Sequence, residues 1–203
     1  KIEAFPCWDS GRWTPALGTF KHPSPGEQAA LALASMGRDA FPVLVDQLDN
    51  SNATARRNAA WAVGELTNMI PGERSGATTK LVFLLNDGDV WVRMAAARAL
   101  GELRDLRATE SLSAMLLDPD WRARQMAAWA LSELKDERAV KALGNALVSD
   151  ARAEVRRDAA AGLAFAGLPF ISAAGVGISA VVLVMVLAAI TLLPALLGLA
   201  GHR

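Results

Sequence analysis

Small and aliphatic residues recur at helical spacing in four stretches of the chain, each led by an arginine. In every stretch small residues lie three and four positions after the arginine, and an aliphatic residue lies seven positions after it. This spacing places them on one face of an α-helix. The stretches are 56–66, 93–103, 124–134 and 156–163, so the leading arginines are 37, 31 and 32 residues apart. A weaker copy precedes them between Gln28 and Met36, and the period predicts stacked helical repeats.

Each copy is predicted to be the second helix of a pair. The first helices are shorter and are expected at 41–48, 77–85, 108–116 and 139–147, with Asp, Asn, Gly and Pro clusters between the helices. One pair cannot bury its own apolar face, so successive pairs must stack. The prediction for 26–167 is therefore an all-α solenoid of about five helix pairs. The longer first interval contains a Pro/Gly/Ser insertion, Met69 to Thr78, which is expected to form a protruding loop.

An acidic or amide residue lies six positions before each leading arginine. These residues are Asn50, Asp87, Asp118 and Asp150. A side chain at this point can cap the start of the helix and accept a hydrogen bond from an arginine. We expect the pairs to form a structural ladder along the stack rather than a row that binds phosphate.

The C-terminal region, 168–203, is predicted to contain one transmembrane helix. Residues 159–202 include no Lys, Arg, Asp or Glu, and the apolar run 171–199 exceeds the roughly 20 residues that span a bilayer. A buried core helix is the alternative, although a domain of this size cannot easily hide so long an apolar segment. Small residues at Gly175, Gly177 and Ser179 leave a stripe where another membrane helix can approach closely.

The orientation of this single span depends on the charges at its two ends. Arg203 follows the apolar run, whereas Arg152, Arg156 and Arg157 precede it. The sequence begins at Lys1 rather than at methionine, which would fit a removed leader or a start inside a longer product. A removed leader favours a solenoid on the periplasmic side with a cytoplasmic C-terminus.

The repeat resembles the HEAT-repeat superfamily, in particular the short type found in phycobilisome-lyase-like proteins. The resemblance covers about 26–167, and its closest part is VRMAAARALGELRD at 92–105. It implies a solenoid that binds proteins, and a lyase activity is not implied by the repeat alone. Residues 163–203 resemble one transmembrane helix of MMPL-type transporters of the RND superfamily. Because this segment has no acidic residue, transport activity is not implied. The tail is either a natural anchor or a segment joined from a second source.

The N-terminal residues 1–25 are predicted to form an irregular arm. Four prolines and two glycines rule out a long helix there. The arm is nevertheless rich in aromatic residues, which disordered tails usually lack. We expect it to cap the first repeat or, alternatively, to dock a partner through Trp8 and Trp13.

Tryptophan and arginine side chains form a candidate partner-binding row. Trp61 and Trp129 occupy the same repeat position, and Arg98 fills that position in the copy between them. Because arginine is accepted there, the position is expected to be at least partly exposed. Trp91 and Trp121 lie at the starts of neighbouring helices. Trp and Arg often dominate interface energies, although ordinary packing between repeats is the competing interpretation.

Charge and composition exclude several classes of function. The 21 Lys and Arg balance the 21 Asp and Glu, so nothing predicts a nucleic-acid partner. No motif for nucleophilic catalysis, phosphate binding or metal binding is found. The glutamates that recur at Glu65, Glu102 and Glu133 are predicted to lie on a solvated face. We therefore expect no enzyme activity, no metal, no cofactor and no small-molecule substrate.

These features favour a membrane-anchored scaffold that binds protein partners. A subunit of a membrane complex for transport or photosynthetic light harvesting is a specific form of this hypothesis. One alternative is a lyase-like or chromophore-handling HEAT protein. Another is a sensor domain separated from a larger membrane protein.

Overall fold

The computed structural model describes residues 8–9, 12–13, 25–66 and 71–165. Within these residues the chain forms a series of helices: α1 Pro25–Met36, α2 Phe41–Gln47, α3 Ala53–Glu65, α4 Pro71–Leu84, α5 Val90–Leu103, α6 Thr109–Met115, α7 Trp121–Leu134, α8 Val140–Ser149 and α9 Ala153–Phe165. Short 3-10 turns at Gly37–Ala40, Leu106–Ala108 and Glu137–Ala139 lead into α2, α6 and α8.

The helices alternate between two layers, as the repeat pattern predicts. The arginine-led helices α3, α5, α7 and α9 pack side by side, and α1 packs on α3 as the weaker first copy. We call α1, α3, α5, α7 and α9 the close-packed layer. The short helices α2, α4, α6 and α8 each pack on the arginine-led helix of their own pair, and we call them the open layer. The described residues thus hold four pairs after one single helix, rather than five complete pairs.

Small residues allow the close-packed layer to form. At Gly64 a Cβ atom would lie 3.0 Å from the Cα atom of Ala99, and at Gly101 it would lie 3.0 Å from the Cα atom of Ala130. Backbones can approach this closely only where no larger side chain stands between them. Alanines fill most of the remaining contact face and are almost fully buried. The paired alanines in the sequence therefore mark the helix contacts.

The open layer is less tightly packed, because its helices contact one another at only a few positions. Large apolar side chains remain exposed at Val43 on α2, Phe83 on α4 and Val148 on α8, and at Leu117 just after α6. Phe83 is 78% exposed and Leu117 is 87% exposed. The buried core lies between the two layers and includes Leu44, Leu81, Leu112 and Leu143, one from each open-layer helix.

The loop predicted for the 69–78 insertion is wrong from residue 71 onwards, because α4 begins at Pro71. Proline suits the first position of a helix, where its missing N–H has no intrahelical partner. A Cβ atom at Gly76 would meet nothing within 4 Å, whereas Ala77 and Thr78 are buried. The glycine and serine content of this segment suggested a loop. The segment is nevertheless helical, and its Ala77 and Thr78 side chains pack into the core.

The N-terminal arm contains a short antiparallel strand pair that the all-α prediction did not include. Strand β1 is Trp8–Asp9 and strand β2 is Arg12–Trp13, with Trp8 opposite Trp13 and Asp9 opposite Arg12. The Ser10-Gly11 pair between them is a two-residue hairpin signal. Whether the arm caps the first repeat stays a prediction.

The predicted transmembrane segment 168–203 lies outside the described residues, together with Gly175, Gly177 and Ser179. Among the helices from α1 to α9, none combines the length and the apolar character needed to cross a bilayer.

Candidate protein-interaction surface

The leading arginines connect each repeat to the next along one edge of the stack. Nη1 of Arg93 donates to the backbone oxygen of Asp87, six positions earlier, at 2.9 Å. Nε and Nη2 of the same side chain donate to the two carboxylate oxygens of Asp118 at 2.7 and 3.0 Å. The same bidentate contact joins Arg56 to Asp87 and Arg124 to Asp150. The predicted ladder is therefore confirmed for Asp87, Asp118 and Asp150, whereas Asn50 accepts from Arg56 through its backbone oxygen.

The capping half of that prediction is wrong. The helix caps are Asn52, Asp89 and Asp120, which lie four positions before the arginines, and their side chains accept from backbone N–H groups of the first turn. Asp87 instead accepts from the backbone N–H of Asp89 at 2.9 Å. The Asp87 carboxylate also accepts two hydrogen bonds from Arg56 of the preceding repeat. Asp87 therefore does not cap the helix itself but holds the backbone of the cap residue Asp89.

A second ladder follows the opposite ends of the open-layer helices and was not predicted. The Thr78 hydroxyl donates to Asp105 of the next repeat at 2.8 Å, and the Thr109 hydroxyl donates to Asp136 at 2.7 Å. Each aspartate also binds the arginine two positions after it. These arginine hydrogen bonds are the largest cause that lowers the pKa of both aspartates from 3.8 to about 2. The repeated Asp-x-Arg-Ala at 105–108 and 136–139 was the sequence signal for this ladder.

Aromatic and cationic side chains alternate at the starts of α5, α7 and α9. The Arg122 guanidinium lies 5.1 Å from the ring centroid of Trp91, and that of Arg152 lies 5.0 Å from the ring centroid of Trp121. Both tryptophans are half-buried. Each cation–π contact links one repeat to the next. Each of the two helix-start tryptophans that the sequence singled out thus contacts an arginine of the next repeat.

The predicted exposure of the Trp61 and Arg98 position is wrong. Trp61 is 4% exposed and Arg98 is 5% exposed, whereas Trp129 is half-buried. The Arg98 guanidinium reaches back from α5 over α3, where it lies 5.9 Å from the Trp61 ring centroid and pairs with Glu65. The Nη2 atom of Arg98 makes the pair with Glu65, whereas Nε and Nη1 are buried without a hydrogen-bond partner among the described residues. For Trp61 and Arg98, packing between repeats is the interpretation that agrees with the structure.

The recurring glutamates form a partly exposed row beside Arg98. Glu65 is exposed, and Glu102 and Glu133 are half-buried. Nη2 of Arg98 lies 3.5 Å from Glu102, and Nη2 of Arg104 donates to Glu133 at 2.8 Å. Burial is the first cause that raises the pKa of Glu102, and the charges of Glu65 and Glu133 raise it further. The row is therefore an acidic stripe that arginines only partly neutralise.

A groove of about 400 Å³ opens between α6 and α8 in the open layer. Its lining combines apolar and polar side chains, including Leu117, Ser113, Asn145 and Ser149. The Ser113 hydroxyl oxygen is buried and has no hydrogen-bond partner among the described residues. The Arg124 and Asp150 side chains of the ladder also line the groove, which no sequence signal predicted.

Two groups of predicted site residues cannot be placed by their side chains. Trp8 and Trp13 face each other in register on the strand pair, and their side chains lie outside the described part of the chain. The membrane-helix stripe lies outside it as well. Within the described residues no group of three or more His, Cys, Asp or Glu side chains is arranged to hold a metal ion.

Two family models match parts of the chain. The model for HEAT repeats matches residues 78–164, from within α4 to the end of α9. The MMPL family model matches residues 138–203. The two matches share 138–164, and there α8 and α9 pack together while α9 packs on α7 as the last repeat. No curated protein matches the sequence.

Solved structures share the fold. An engineered protein of the Northeast Structural Genomics Consortium is 25% identical with a TM-score of 0.53, covering 68% of this chain and 72% of that chain. The complex of CpcE and CpcF of phycocyanin lyase from Nostoc sp. PCC7120 is 28% identical with a TM-score of 0.54, covering 63% of this chain and 53% of that one. This chain therefore matches about half the length of the lyase chain.

A designed armadillo repeat protein in complex with the peptide (KR)4 is 21% identical with a TM-score of 0.53, covering 68% of this chain and 74% of that chain. At this identity the likeness concerns the fold alone. The matched family model, the layered helix pairs and the ladders that link the repeats all indicate a helical-repeat fold. Residues 78–164 match the HEAT-repeat model, and the helix pairs of the described residues form a helical-repeat solenoid like those of the solved structures.

Proposed function

We propose that this helical-repeat protein is a membrane-anchored scaffold that holds protein partners in a larger membrane complex and catalyses no reaction itself. The observation that carries the proposal is the linked row of half-buried tryptophans and arginines at the starts of α5, α7 and α9. Trp and Arg are the residues that most often dominate protein interfaces. Their cation–π contacts also hold them in place before a partner arrives, which lowers the entropic cost of binding.

The partners are proteins rather than nucleic acids. The ladder arginines, which could have formed a basic stripe, are paired with aspartates of the next repeat. Their charges are therefore already neutralised, and they are held in bidentate contacts. In addition, the solved relative from Nostoc sp. PCC7120 is a complex of two proteins, CpcE and CpcF.

The anchor in this proposal is the apolar run 171–199. Its length and lack of charge suit a bilayer span, and the MMPL family match covers it. The proposed topology places the repeats on the periplasmic side and the C-terminus in the cytoplasm. A transport or light-harvesting complex is the setting that the two family resemblances favour.

Isolation from native membranes in a mild detergent tests the scaffold. Protein chains should co-purify with the full chain, and the Trp91→Ala/Trp121→Ala double variant should lose at least one of them. Phe83→Ala is the matched control, because it truncates an aromatic residue that is 78% exposed on the open layer. Absence of any co-purifying chain would reject the scaffold. Loss only in Phe83→Ala would move the binding surface to the open layer.

Fractionation tests the anchor. The full chain should stay in the membrane pellet after an alkaline carbonate wash, whereas a chain that ends at residue 171 should be released with its helicity intact. The single cysteine, Cys7, reports the topology, because a membrane-impermeant maleimide should label it from the periplasmic side. Labelling only after the inner membrane is opened would reverse the proposed orientation.

A second candidate function is that of a lyase subunit, which is favoured by the 28% identity to the phycocyanin lyase complex. In that case the chain would pair with a second repeat protein and handle a pigment. Co-expression with phycocyanin and its pigment decides between the two functions. Visible absorbance that stays with the purified chain would favour the lyase, and a colourless chain with co-purifying membrane proteins would favour the scaffold.

A further inference from the structure

The arginine-led helices meet through a face of small residues. This face contains the residues four and eight positions after the leading arginine, and we call it the forward face. In α3, α5 and α7 all of these residues are buried: Ala60, Gly64, Ala97, Gly101, Ala128 and Ser132. At Gly64 and Gly101 a Cβ atom would lie 3.0 Å from a Cα atom of the following arginine-led helix. The forward face of each of these helices is therefore covered by the next repeat.

On α9 the forward face is open. Ala160 and Ala164 lie four and eight positions after Arg156, and both are exposed. No helix follows α9 in the part of the chain that the structure describes. Elsewhere in the stack, small residues at these positions are what allows a neighbouring backbone to approach. Ala160 and Ala164 therefore leave room for one more helix.

Arg156 makes only half of the ladder contacts. Its Nη1 atom donates to the backbone oxygens of Asp150 at 2.8 Å and Ala151 at 3.2 Å, just as Nη1 of Arg124 donates to that of Asp118. Nε and Nη2 of Arg124 also bind the Asp150 carboxylate of the next repeat. The same two atoms of Arg156 have no hydrogen-bond partner among the described residues. The Arg156 guanidinium is thus already oriented, with two parallel N–H groups available to a carboxylate.

The chain offers no carboxylate to complete this step of the ladder. Residues 159–202, which follow Arg156, include no Asp or Glu. A second copy of the chain has none in this register either, because its three ladder aspartates are already bound by arginines of its own repeats. The remaining residue of that row, Asn50, is an amide. A carboxylate from a different protein is therefore the ligand that fits Arg156.

The register of the repeat predicts which helix would cover the forward face of α9. In each repeat, the residue that meets the preceding forward face lies twelve positions after the ladder aspartate: Ala99, Ala130 and Gly162. The two alanines stand opposite glycines, whereas Gly162 stands opposite Ser132, with the Ser132 Cβ atom 3.5 Å from the ideal Cβ position. One of the two facing residues is thus always a glycine. Because Ala164 has a methyl group, the residue opposite it needs to be glycine.

We propose that α9 binds a helical repeat of a partner protein, so that the stack continues across two chains. The partner supplies an aspartate for Arg156 from the turn between its two helices, and a glycine twelve positions later opposite Ala164. Close packing of small residues and a bidentate ion pair are the interactions that already join the repeats within the chain. The biological meaning of this docking face rests on the proposed scaffold function, whose partner it specifies.

Photo-cross-linking of the full chain in native membranes tests the docking face. The probe is benzoylphenylalanine in place of Ala161, beside the forward face, where α3 and α7 have tryptophan at the equivalent position. It should cross-link one partner protein, and mass spectrometry should place the link on a helix with the predicted aspartate–glycine spacing. Ala160→Arg should abolish the link without unfolding the chain, because Ala160 is exposed. Ala114→Arg, on an exposed position of α6, should leave the link unchanged.

Arg156→Gln tests the ion pair. It should reduce the cross-link yield about tenfold, because it leaves the partner carboxylate buried without its bidentate donor. Lys141→Gln is the control, since it removes the same charge from an exposed position of α8 and should not change the yield. Arg156→Asp should recover the link when the partner aspartate is replaced by arginine.

Four results would overturn the proposal: no link, a link within the chain's own sequence, a link to a partner segment without the predicted spacing, or a link that survives both Ala160→Arg and Arg156→Gln. None of them touches the scaffold itself, because co-purification and its loss in Trp91→Ala/Trp121→Ala are measured independently of this face.

Discussion

The close-packed and open layers are built from the same repeats but by different means. In the close-packed layer, glycines and alanines bring backbones into contact, as where Gly101 meets Ala130. In the open layer the helices contact one another at few positions, and they leave a groove and exposed apolar side chains such as Leu117. The close-packed layer therefore provides most of the packing between repeats, and the open layer contains the groove and the exposed apolar side chains.

The two layers differ because the repeat is asymmetric. A small-residue face lets consecutive arginine-led helices approach, and the ladder from Arg93 to Asp118 fixes their register. On the open layer neighbouring units are tied by scattered polar contacts, such as the hydrogen bonds from Thr109 to Asp136 and from Arg138 to the backbone oxygen of Leu106. Substitutions should thus cost most along the close-packed layer and its arginine edge.

The largest effect is expected from Arg93→Met. This change leaves the Asp118 carboxylate, which is almost fully buried, without its bidentate partner. Breaking such a pair should lower the free energy of unfolding by about 3 kcal/mol. Arg104→Met is the control, since it removes an exposed pair with Glu133 and should cost less than about 1 kcal/mol. Denaturant unfolding followed by circular dichroism measures both, and equal costs would contradict the special role of the arginine edge.

Gly101→Ala compared with Gly144→Ala tests the two layers directly. At Gly101 the new Cβ atom would lie 2.8 Å from the Trp129 ring and 3.0 Å from backbone, so we expect a loss of about 1–3 kcal/mol. At Gly144, on α8, it would meet nothing within 4 Å, and higher helix propensity should raise stability by about 0.5–1 kcal/mol. If both variants shifted the thermal unfolding midpoint in the same direction, the difference in packing between the two layers would be contradicted.

Acid should weaken the open-layer ladder. The folded-state pKa of Asp136 is about 2, against an ordinary 3.8, because Arg138 and then Thr109 bind its charged form. A lowered folded-state pKa adds stability above pH 4, and that stability is lost as pH falls towards 2. Asp136→Asn should therefore cost about 1–2 kcal/mol at pH 7.

Measurement of unfolding free energy between pH 7 and pH 2 provides the check. The curves for the parent and for Asp136→Asn should approach each other at the acidic end, because about half of the parent carboxyl groups are neutral in the folded state at pH 2. Asparagine can still accept the hydrogen bond from the backbone N–H of Arg138, but its NH2 group replaces the Oδ2 atom that accepts from Thr109 and from the Arg138 side chain. A constant gap down to pH 2 would assign the effect to shape rather than to ionisation.

The smallest effect is expected from Glu102→Gln. Burial raises the pKa of Glu102, so the folded state disfavours its charged form. Stability associated with this group falls as pH rises through and above its ordinary pKa, and glutamine avoids that loss. The variant should gain about 0.5 kcal/mol or less at pH 7 and nothing below pH 4. Thermal unfolding of Glu110→Gln, an exposed control, should match the parent, and a destabilised Glu102→Gln would mean that its contact with Arg98 dominates.

Much of the fold could be predicted because its signals are repeated and local. The arginine-led helices, their register and the pairing of Arg124 with Asp150 all follow from one pattern seen several times. The cap residues were misplaced by two positions, since Asp89 and Asp87 lie in the same polar cluster. The start of α4, 71–76, was missed because the Pro, Gly and Ser content of the segment favoured a loop and moved the predicted start of the helix to residue 77.

The candidate site was only partly predictable. The sequence identified Trp61, Trp129 and the recurring glutamates, but it could not show that Arg98 reaches back from α5 to Glu65 on α3. Exposure of one helix position depends on the residue of the following helix, about 30 residues away, and no local pattern contains that information.

By itself the sequence determined the repeat, its helical period and the arginine–aspartate register, because each is encoded within one unit and then repeated. Only the tertiary structure decided which members of the tryptophan and arginine row are buried and where the open layer parts into a groove. The physical reason is that burial and spacing between repeats depend on side chains contributed by two neighbouring units at once.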